Sequence, residues 1–353
     1  MSFGDQHWRS WNRLKSPVAT IGAFLAGGLV YPLVFSRVEW HVFLLATSSA
    51  FLIGVAGSFA EAFYFQRRGR RLQFSVILAA RTVFYILLVN ICVIGSNIVH
   101  RMFLHDFTLE ASVADTMDMY INGDETLRIN AYALTMIFAI NFIRQINRLL
   151  GQNALLNFIL GRYHHAVEEE RVFMFLDLKS STAIAEKLGH SRYHEFLNDF
   201  FYDITPPIVE NKGEIYQYVG DEVVVTWKKR HGVEEANCIK CYFQIVATMQ
   251  LLGDRYRDRY GCVPEFKAGF HLGKVIAGII GDIKRDIVFH GDTVNTASRI
   301  RSECSVLGKN MLLSGELLRM IEIDEVLTPE SIGRIKLRGK EEEIELFSIR
   351  EAA

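Results

Sequence analysis

The chain has 353 residues, room for two or three domains. Half of them are hydrophobic and the mean hydropathy is +0.15, high for a purely soluble protein and a pointer to a membrane part. The net charge of −1 gives no sign of nucleic-acid binding, and five irregularly spaced cysteines argue against a disulfide framework. Cys238 and Cys241, three apart in a helical pattern, read as structural residues, and the second half of the chain as lying in a reducing, cytosolic compartment.

From the N-terminus, Trp8, Arg9, Trp11, Arg13 and Lys15 read as an interfacial lead-in on the cytoplasmic side. Pro17 to Ser36 is then apolar and long enough for a ~30 Å hydrocarbon core. A signal peptide is the alternative, but no small-residue cleavage site precedes a polar mature start. Further apolar runs follow at His41 to Phe65, Leu72 to Val99 and Ile129 to Ile143. Between them lie a dense basic loop, Arg67-Arg68-Gly69-Arg70-Arg71, and an acidic stretch from His100 to Arg128. Basic segments stay on the cytoplasmic side, so the N-terminus, the basic loop and Arg144/Arg148 are placed inside and the acidic stretch outside. Four spans with both termini inside satisfy every placement. Two charges, Glu61 and Arg81, fall within spans and are expected to pair with each other.

Residues 141–170 form a joint with apolar residues at helical spacing, interruptible at Gly151 and Gly161. It reads either as an amphipathic helix on the membrane or as a dimerising transducer helix. His164 and His165 read as surface residues. The expected domains are thus 1–140 (four transmembrane helices), 141–170 (helical linker) and 171–353.

In the last part, strand and helix signals alternate. Strand Val172–Asp177 precedes helical patterns Ser181–Leu188 and Ser191–Asn211. A hairpin, Glu214–Trp227, turns at Gly220-Asp221 and presents Asp221 at its tip. A long helix Val233–Tyr260, a second hairpin turning at Gly273-Lys274, a helix Thr293–Leu307 and two C-terminal runs follow. A ferredoxin-like βαββαβ core fits this order, giving an α+β fold class for the whole chain. Asp177 at a strand end and Asp221 at a hairpin tip suit a hard divalent cation, which takes one or two carboxylates together with substrate phosphates. The plain alternative is that Asp221 is only a turn residue.

Three stretches carry a resemblance: Phe175-Leu176-Asp177-Leu178-Lys179-Ser180-Ser181-Thr182, Gly220-Asp221-Glu222, and Gly291-Asp292-Thr293-Val294-Asn295-Thr296-Ala297-Ser298-Arg299. In order and spacing they are similar to the class III nucleotide cyclase catalytic domain, from Glu170 to the C-terminus. The resemblance implies a membrane-anchored bacterial adenylate cyclase of the inner membrane, with its catalytic part cytoplasmic, making 3′,5′-cyclic AMP and pyrophosphate from ATP. It implies two Mg²⁺ or Mn²⁺ ions per site on Asp177 and Asp221, with the Leu178 carbonyl as a further ligand. Asn295 would orient the ribose and Arg299 offset transition-state charge, while Thr182 and either Arg338 or Lys340 would meet the phosphates. In this family each site is shared across a dimer; one chain carrying both residue sets is expected to form a homodimer with two complete sites.

Base choice in adenylate cyclases usually rests on a Lys and on an Asp or Thr, positions held here by Gln217 and Val288. Gln217 can still donate and accept, whereas the Val288 side chain makes no hydrogen bond. Other readings are a guanylate cyclase on the same scaffold, a catalytically silent nucleotide-binding receptor, and a small transporter. The intact Asp177, Asp221, Asn295 and Arg299 speak against the silent receptor, and four spans with one paired charge against the transporter. A lipid, a membrane ligand or a membrane partner is left open as what the first half meets.

Overall fold

The computed structural model describes residues 3–35, 39–65, 73–104, 106–151, 154–323 and 327–351. It divides the chain into two units, Met1–Leu149 and Leu150–Ala353. The basic loop Arg67–Arg71, and the side chains of Trp8, Arg9, Trp11, Arg13, Lys15 and Arg148, lie outside what is described.

The apolar runs of the first unit fold as helices: α1 (Phe3–Phe35), α2 (Trp40–Ala60), α3 (Phe74–Leu104) and α5 (Asp124–Leu150). In hydrocarbon every backbone polar group must be satisfied internally, which a helix does. Among the described residues three helices are long and apolar enough to cross a membrane: Trp40–Phe65, Ser75–Phe103 and Asp124–Asn147. The apolar part of α1, Thr20–Phe35, is shorter. The acidic stretch is not a plain connection, because it folds largely as α4 (Leu109–Asn122), whose first turn is capped by Thr108 accepting from the Ala111 N–H. The expected partnership forms: Arg81 Nη2 donates to Glu61 Oε2 at 2.9 Å. Glu61 opens a π-helical turn, Glu61–Phe65, at the end of α2. Arg144 Nη1 lies 3.6 Å from Glu61 Oε1, and Tyr85 Oη donates to it at 3.5 Å.

At the joint, α5 ends at Leu150, Gly151 takes φ +90°, and a short α6 (Ala154–Ile159) stops before Gly161 at φ +63°. The first strand, β1 (Val167–Leu178), begins earlier than expected. After it come α7 (Ser181–Leu188) and α8 (His190–Glu210), the hairpin β2 (Glu214–Val219) and β3 (Glu222–Lys228), then α9 (Lys229–Val233), α10 (Asn237–Leu251) and α11 (Gly253–Tyr260). The expected single helix Val233–Tyr260 is therefore broken, first at Glu235 and Ala236, both with positive φ, and again at Leu252.

The second hairpin is a correction. Phe266–Ile280 is one uninterrupted strand, β4, paired antiparallel to β1 from Phe266 to Ala277, with Gly273 opposite Arg171. Gly273 serves close approach rather than a turn: a Cβ there would come 2.5 Å from Thr293 Oγ1. The partner of the far end of β4 is β5 (Asp286–His290). Then follow α12 (Asp292–Val306), β6 (Met311–Ser314), α13 (Gly315–Leu318), β7 (Leu327–Ile335) and β8 (Ile344–Glu351). The sheet runs β2-β3-β1-β4-β6-β8-β7, with β5 paired to β4.

The central strand β1 is buried on both faces, which explains its unbroken apolar run. Val172, Met174, Leu176 and Leu178 enter the main core with Phe196, Phe200, Ile239 and Ile245 from α8 and α10. Phe173 and Phe175 point the other way, with Val224 and Val275 beside them and Ala297 of α12 packed on top. Two glycines let α12 lie against β4: a Cβ on Gly269 would fall 2.2 Å from the Arg301 backbone nitrogen, and Gly273 meets Thr293.

Candidate active site

The two-residue period of β1 decides where its last carboxylate goes. Phe173, Phe175 and Asp177 share the α12 face. Asp177 stands opposite Glu222 of β3 on one side and opposite Lys267 of β4 on the other. Glu222, Asp177 and Lys267 thus form a row across three strands at one end of the sheet. Asp221 precedes Glu222 at the hairpin tip, where Gly220 supplies φ +63°. The two sequence-expected aspartates therefore arrive together.

Like charges directly opposite each other on a sheet repel. Arg301, on the inner face of α12, bridges them: Nη1 lies 3.2 Å from Asp177 Oδ2 and Nη2 2.7 Å from Glu222 Oε2. Lys267 Nζ stands 3.3 Å from Asp177 Oδ2 and donates to Ser305 Oγ at 2.8 Å. Even so, the balance favours protons. Burial raises the Asp177 pKa; Arg301 opposes this, while neighbouring Asp221 adds to it. Burial raises Glu222 in the same way, with Arg301 opposing and Asp177 reinforcing. Three carboxyls share two cations in a half-buried corner, an arrangement that a divalent cation relieves. Among the described residues no three His, Cys, Asp or Glu side chains converge as a protein-only metal cage. Two carboxylates suffice for Mg²⁺ or Mn²⁺ when the remaining ligands are water and phosphate. The donor set is all hard oxygen and fits such ions.

The other expected residues lie elsewhere. The Leu178 side chain is buried in the core, so only its carbonyl is a candidate ligand. Thr182 is exposed in the first turn of α7, just after Ser180 at φ +53°. Asn295 is exposed and Arg299 half-buried on α12; neither makes a hydrogen bond or ion pair with Asp177 or Asp221. Arg299 instead turns toward the β7–β8 connection, where a Cβ on Gly339 would lie 3.5 Å from its Nη2. Arg338, in that connection, is exposed. Lys340 pairs with Asp292 at the start of α12, and that contact lowers the Asp292 pKa.

Gln217 is exposed on β2 beside a bulge between Ile215 and Gln217. Such bulges re-aim side chains. Val288 is half-buried on β5, opposite Gly278. Their chain neighbours meet, since the Phe289 N–H donates to Tyr216 Oη at 3.4 Å and the two rings lie 5.1 Å apart. The structure thus brings together Tyr216 and Phe289, the chain neighbours of the two positions expected to read the base.

Sequence reasoning missed Arg301, Glu222 and Lys267 as members of the cluster. Arg301 follows Arg299 by two, and two residues on a helix point to different sides. Glu222 and Lys267 were legible only through strand register. The cysteines behave as expected of core residues: Cys238 and Cys241 are buried and free, and burial pushes the Cys238 thiol up to about 12.

Comparison with known proteins gives a consistent result. The family model for the adenylate and guanylate cyclase catalytic domain matches residues 165–351. The chain is 35% identical over 224 residues to "Adenylate cyclase 2" of Rhizobium meliloti (strain 1021), covering 64% of this chain and 62% of that protein. It is 23% identical over 323 residues to "Adenylate cyclase" of Anabaena cylindrica, covering 86% of this chain and 60% of that one. The chain thus spans about three-fifths of the length of these curated relatives. Among solved structures, a bacterial light-regulated adenylyl cyclase superposes with TM-score 0.55 at 19% identity, covering 66% of this chain and 68% of that one; this is a likeness of fold.

Proposed function

This chain belongs to the adenylate and guanylate cyclase catalytic domain family, and from that premise we propose that it is a membrane-anchored adenylate cyclase forming 3′,5′-cyclic AMP and pyrophosphate from ATP. The observation that carries the reading is the meeting of Asp177 and Asp221, one ending β1 and the other at the tip of the hairpin paired to it. Bound there, Mg²⁺ or Mn²⁺ supplies activation of the ribose 3′-hydroxyl and neutralises the leaving oxygens. Asp177, Asp221 and the Leu178 carbonyl hold the ions. Asn295 orients the ribose and Arg299 offsets charge that develops at the α-phosphorus. Thr182 lies at the phosphate side. Arg338 is favoured over Lys340 for the terminal phosphates, because Lys340 already faces Asp292.

Asn295 is exposed and Arg299 turns toward Gly339 rather than the aspartates, which supports a site completed by a second copy. A homodimer then has two such sites, each taking aspartates from one protomer and the α12 residues from the other. The core strand order β2-β3-β1-β4 supports the ferredoxin-like reading. Three candidate spans, with apolar Thr20–Phe35 as a fourth, support a multi-pass anchor in the inner membrane and a cytoplasmic catalytic half. Adenine rests on the names of the two relatives above, since Gln217 and Val288 do not match the usual adenylate pair.

Purified full-length protein, given Mn²⁺ or Mg²⁺ with ATP or GTP, tests the proposal. Cyclic AMP from ATP is the expected product. Cyclic GMP from GTP alone moves the reading to a guanylate cyclase, and no product from either nucleotide to a silent receptor.

A further inference from the structure

The helices of the first unit line a half-open cavity of about 360 Å³ between α1, α2, α3, α4 and α5. That size falls within the ~300–1,000 Å³ range of small-molecule sites. Facing helices of a bundle are also where such sites are built. Its inner walls are apolar, formed by Phe24, Ile53, Val89 and Ile137 among others. Its polar lining gathers at one end: His41 begins α2, His100 and Arg101 lie near the end of α3, and Glu125 opens α5.

Two lining side chains keep a buried polar atom without a hydrogen-bond partner: Arg101 at Nε, although its Nη1 pairs with Asp115, and Ser49. Ser49 lines the cavity midway along α2, is 4% exposed, and its hydroxyl has no hydrogen-bond partner. Its neighbours on the same helix satisfy theirs locally: Thr47 donates to the Phe43 carbonyl, Ser48 to Leu45 and Ser58 to Gly54. A hydroxyl left unpaired in an apolar bundle costs free energy, and the backbone bond its neighbours make is open to it. A hydroxyl left unpaired in the wall of a cavity of ligand size is a recognition group waiting for its partner.

We propose that this cavity binds an uncharged, lipid-soluble amphiphile, whose apolar body fills the bundle and whose hydroxyl or carbonyl group pairs with Ser49. The charges at the polar end set the choice against an anion. Arg101 already pairs with Asp115, Glu39 Oε2 lies 3.1 Å from His41 Nε2, and Glu125 adds negative charge. The inference stands apart from the cyclase reading and is tested by binding alone.

The probe is a diazirine-bearing twelve-carbon alcohol, with the matching carboxylic acid as a second arm, photolysed with the full chain in lipid nanodiscs. Alcohol labels are expected on cavity residues of α2, α3 and α5, competed away by unlabelled dodecanol. Ser49→Ala is expected to weaken this labelling about five-fold, the size of one hydrogen bond, and Leu52→Ala, at an exposed position of the same helix, to leave it unchanged. Ser49→Leu, which fills the space, is expected to abolish it. Label spread over Phe51 and Leu52 without competition overturns the site. Cavity labelling indifferent to Ser49→Ala overturns the assigned pairing, and preferential labelling by the acid overturns the uncharged class.

Discussion

Glu61 and Asp177 are both carboxylates drawn out of water beside arginines, one in each half of the chain. Around Glu61 the charges close: Arg81 at 2.9 Å, Arg144 at 3.6 Å and the Tyr85 hydroxyl all serve one carboxylate. Around Asp177 they stay open, because among the described residues Asp177, Glu222 and the adjacent Asp221 share Arg301 and Lys267 alone. A buried ion pair is therefore no mark of a site by itself. The uncompensated remainder is the mark, since it is what a bound cation would complete.

The sharpest way to break this contrast is to remove the two carboxylates separately. Asp177→Ala is expected to lower cyclic nucleotide formation by roughly 10³-fold or more, since the proposed metal site would keep one of its two aspartates. The far-ultraviolet circular dichroism and dimer content should stay as they are. Turnover close to the parent's contradicts the metal assignment. Glu61→Ala is expected to act on stability instead, costing about 3–5 kcal/mol by taking the carboxylate away from the buried Arg81 guanidinium. Thermal unfolding in detergent reads this out, and Glu61→Met with Arg81→Met together should recover most of the loss. A double variant no better than the single would show that the pair is not a unit.

Next in size is the contact that sets α12 on the sheet. Gly269→Ala puts a methyl 2.2 Å from the Arg301 backbone nitrogen, where no side chain can swing away. A loss of about 1–3 kcal/mol is expected, with activity falling because the same helix carries Arg299 and Asn295. Unchanged stability in urea unfolding would mean that α12 sits farther from β4.

Much of this was readable from the amino-acid order, and the failures have physical causes. The motif around Asp177 and the Gly220-Asp221 hairpin were legible because local chemistry dictates each: an apolar strand ending in a carboxylate, and a turn needing positive φ. The Glu61–Arg81 partnership was legible because two lone charges in apolar helices have few other places to go. The turn assigned to Gly273 failed because a glycine marks either a turn or a close approach, and sequence does not say which. Arg301 was missed because its role comes from a helix laid over a sheet, not from its neighbours in the chain. The orphaned Ser49 hydroxyl had no sequence signature at all.

A smaller effect is expected at the base. Gln217→Lys with Val288→Asp installs the usual adenylate pair on β2 and β5. The ATP-to-GTP ratio of kcat/KM should rise roughly ten-fold, as one or two directed hydrogen bonds allow. An unchanged ratio would mean that other groups read the base, and would detach Gln217 and Val288 from the substrate.

The smallest effect tests the open balance at Asp177 directly. Its pKa is raised in the folded protein, by burial first, against the pull of Arg301 and with Asp221 reinforcing. An acid raised in this way binds more protons folded than unfolded. Its contribution to stability is therefore fully present below the unfolded value near ~3.9 and is lost as pH rises through the folded pKa. Asp177→Asn keeps the shape and removes the charge. Without divalent cations its melting temperature should match the parent's below about pH 4 and exceed it by a few degrees at most at pH 7, followed by the fluorescence of buried Trp227. Adding Mg²⁺ and nucleotide should stabilise the parent and leave the variant where it was, because only the parent keeps the carboxylate that the cation needs. A variant less stable than the parent at pH 7 would mean that Arg301 and Lys267 already satisfy the charge, and the corner would then be a closed clasp like the one around Glu61.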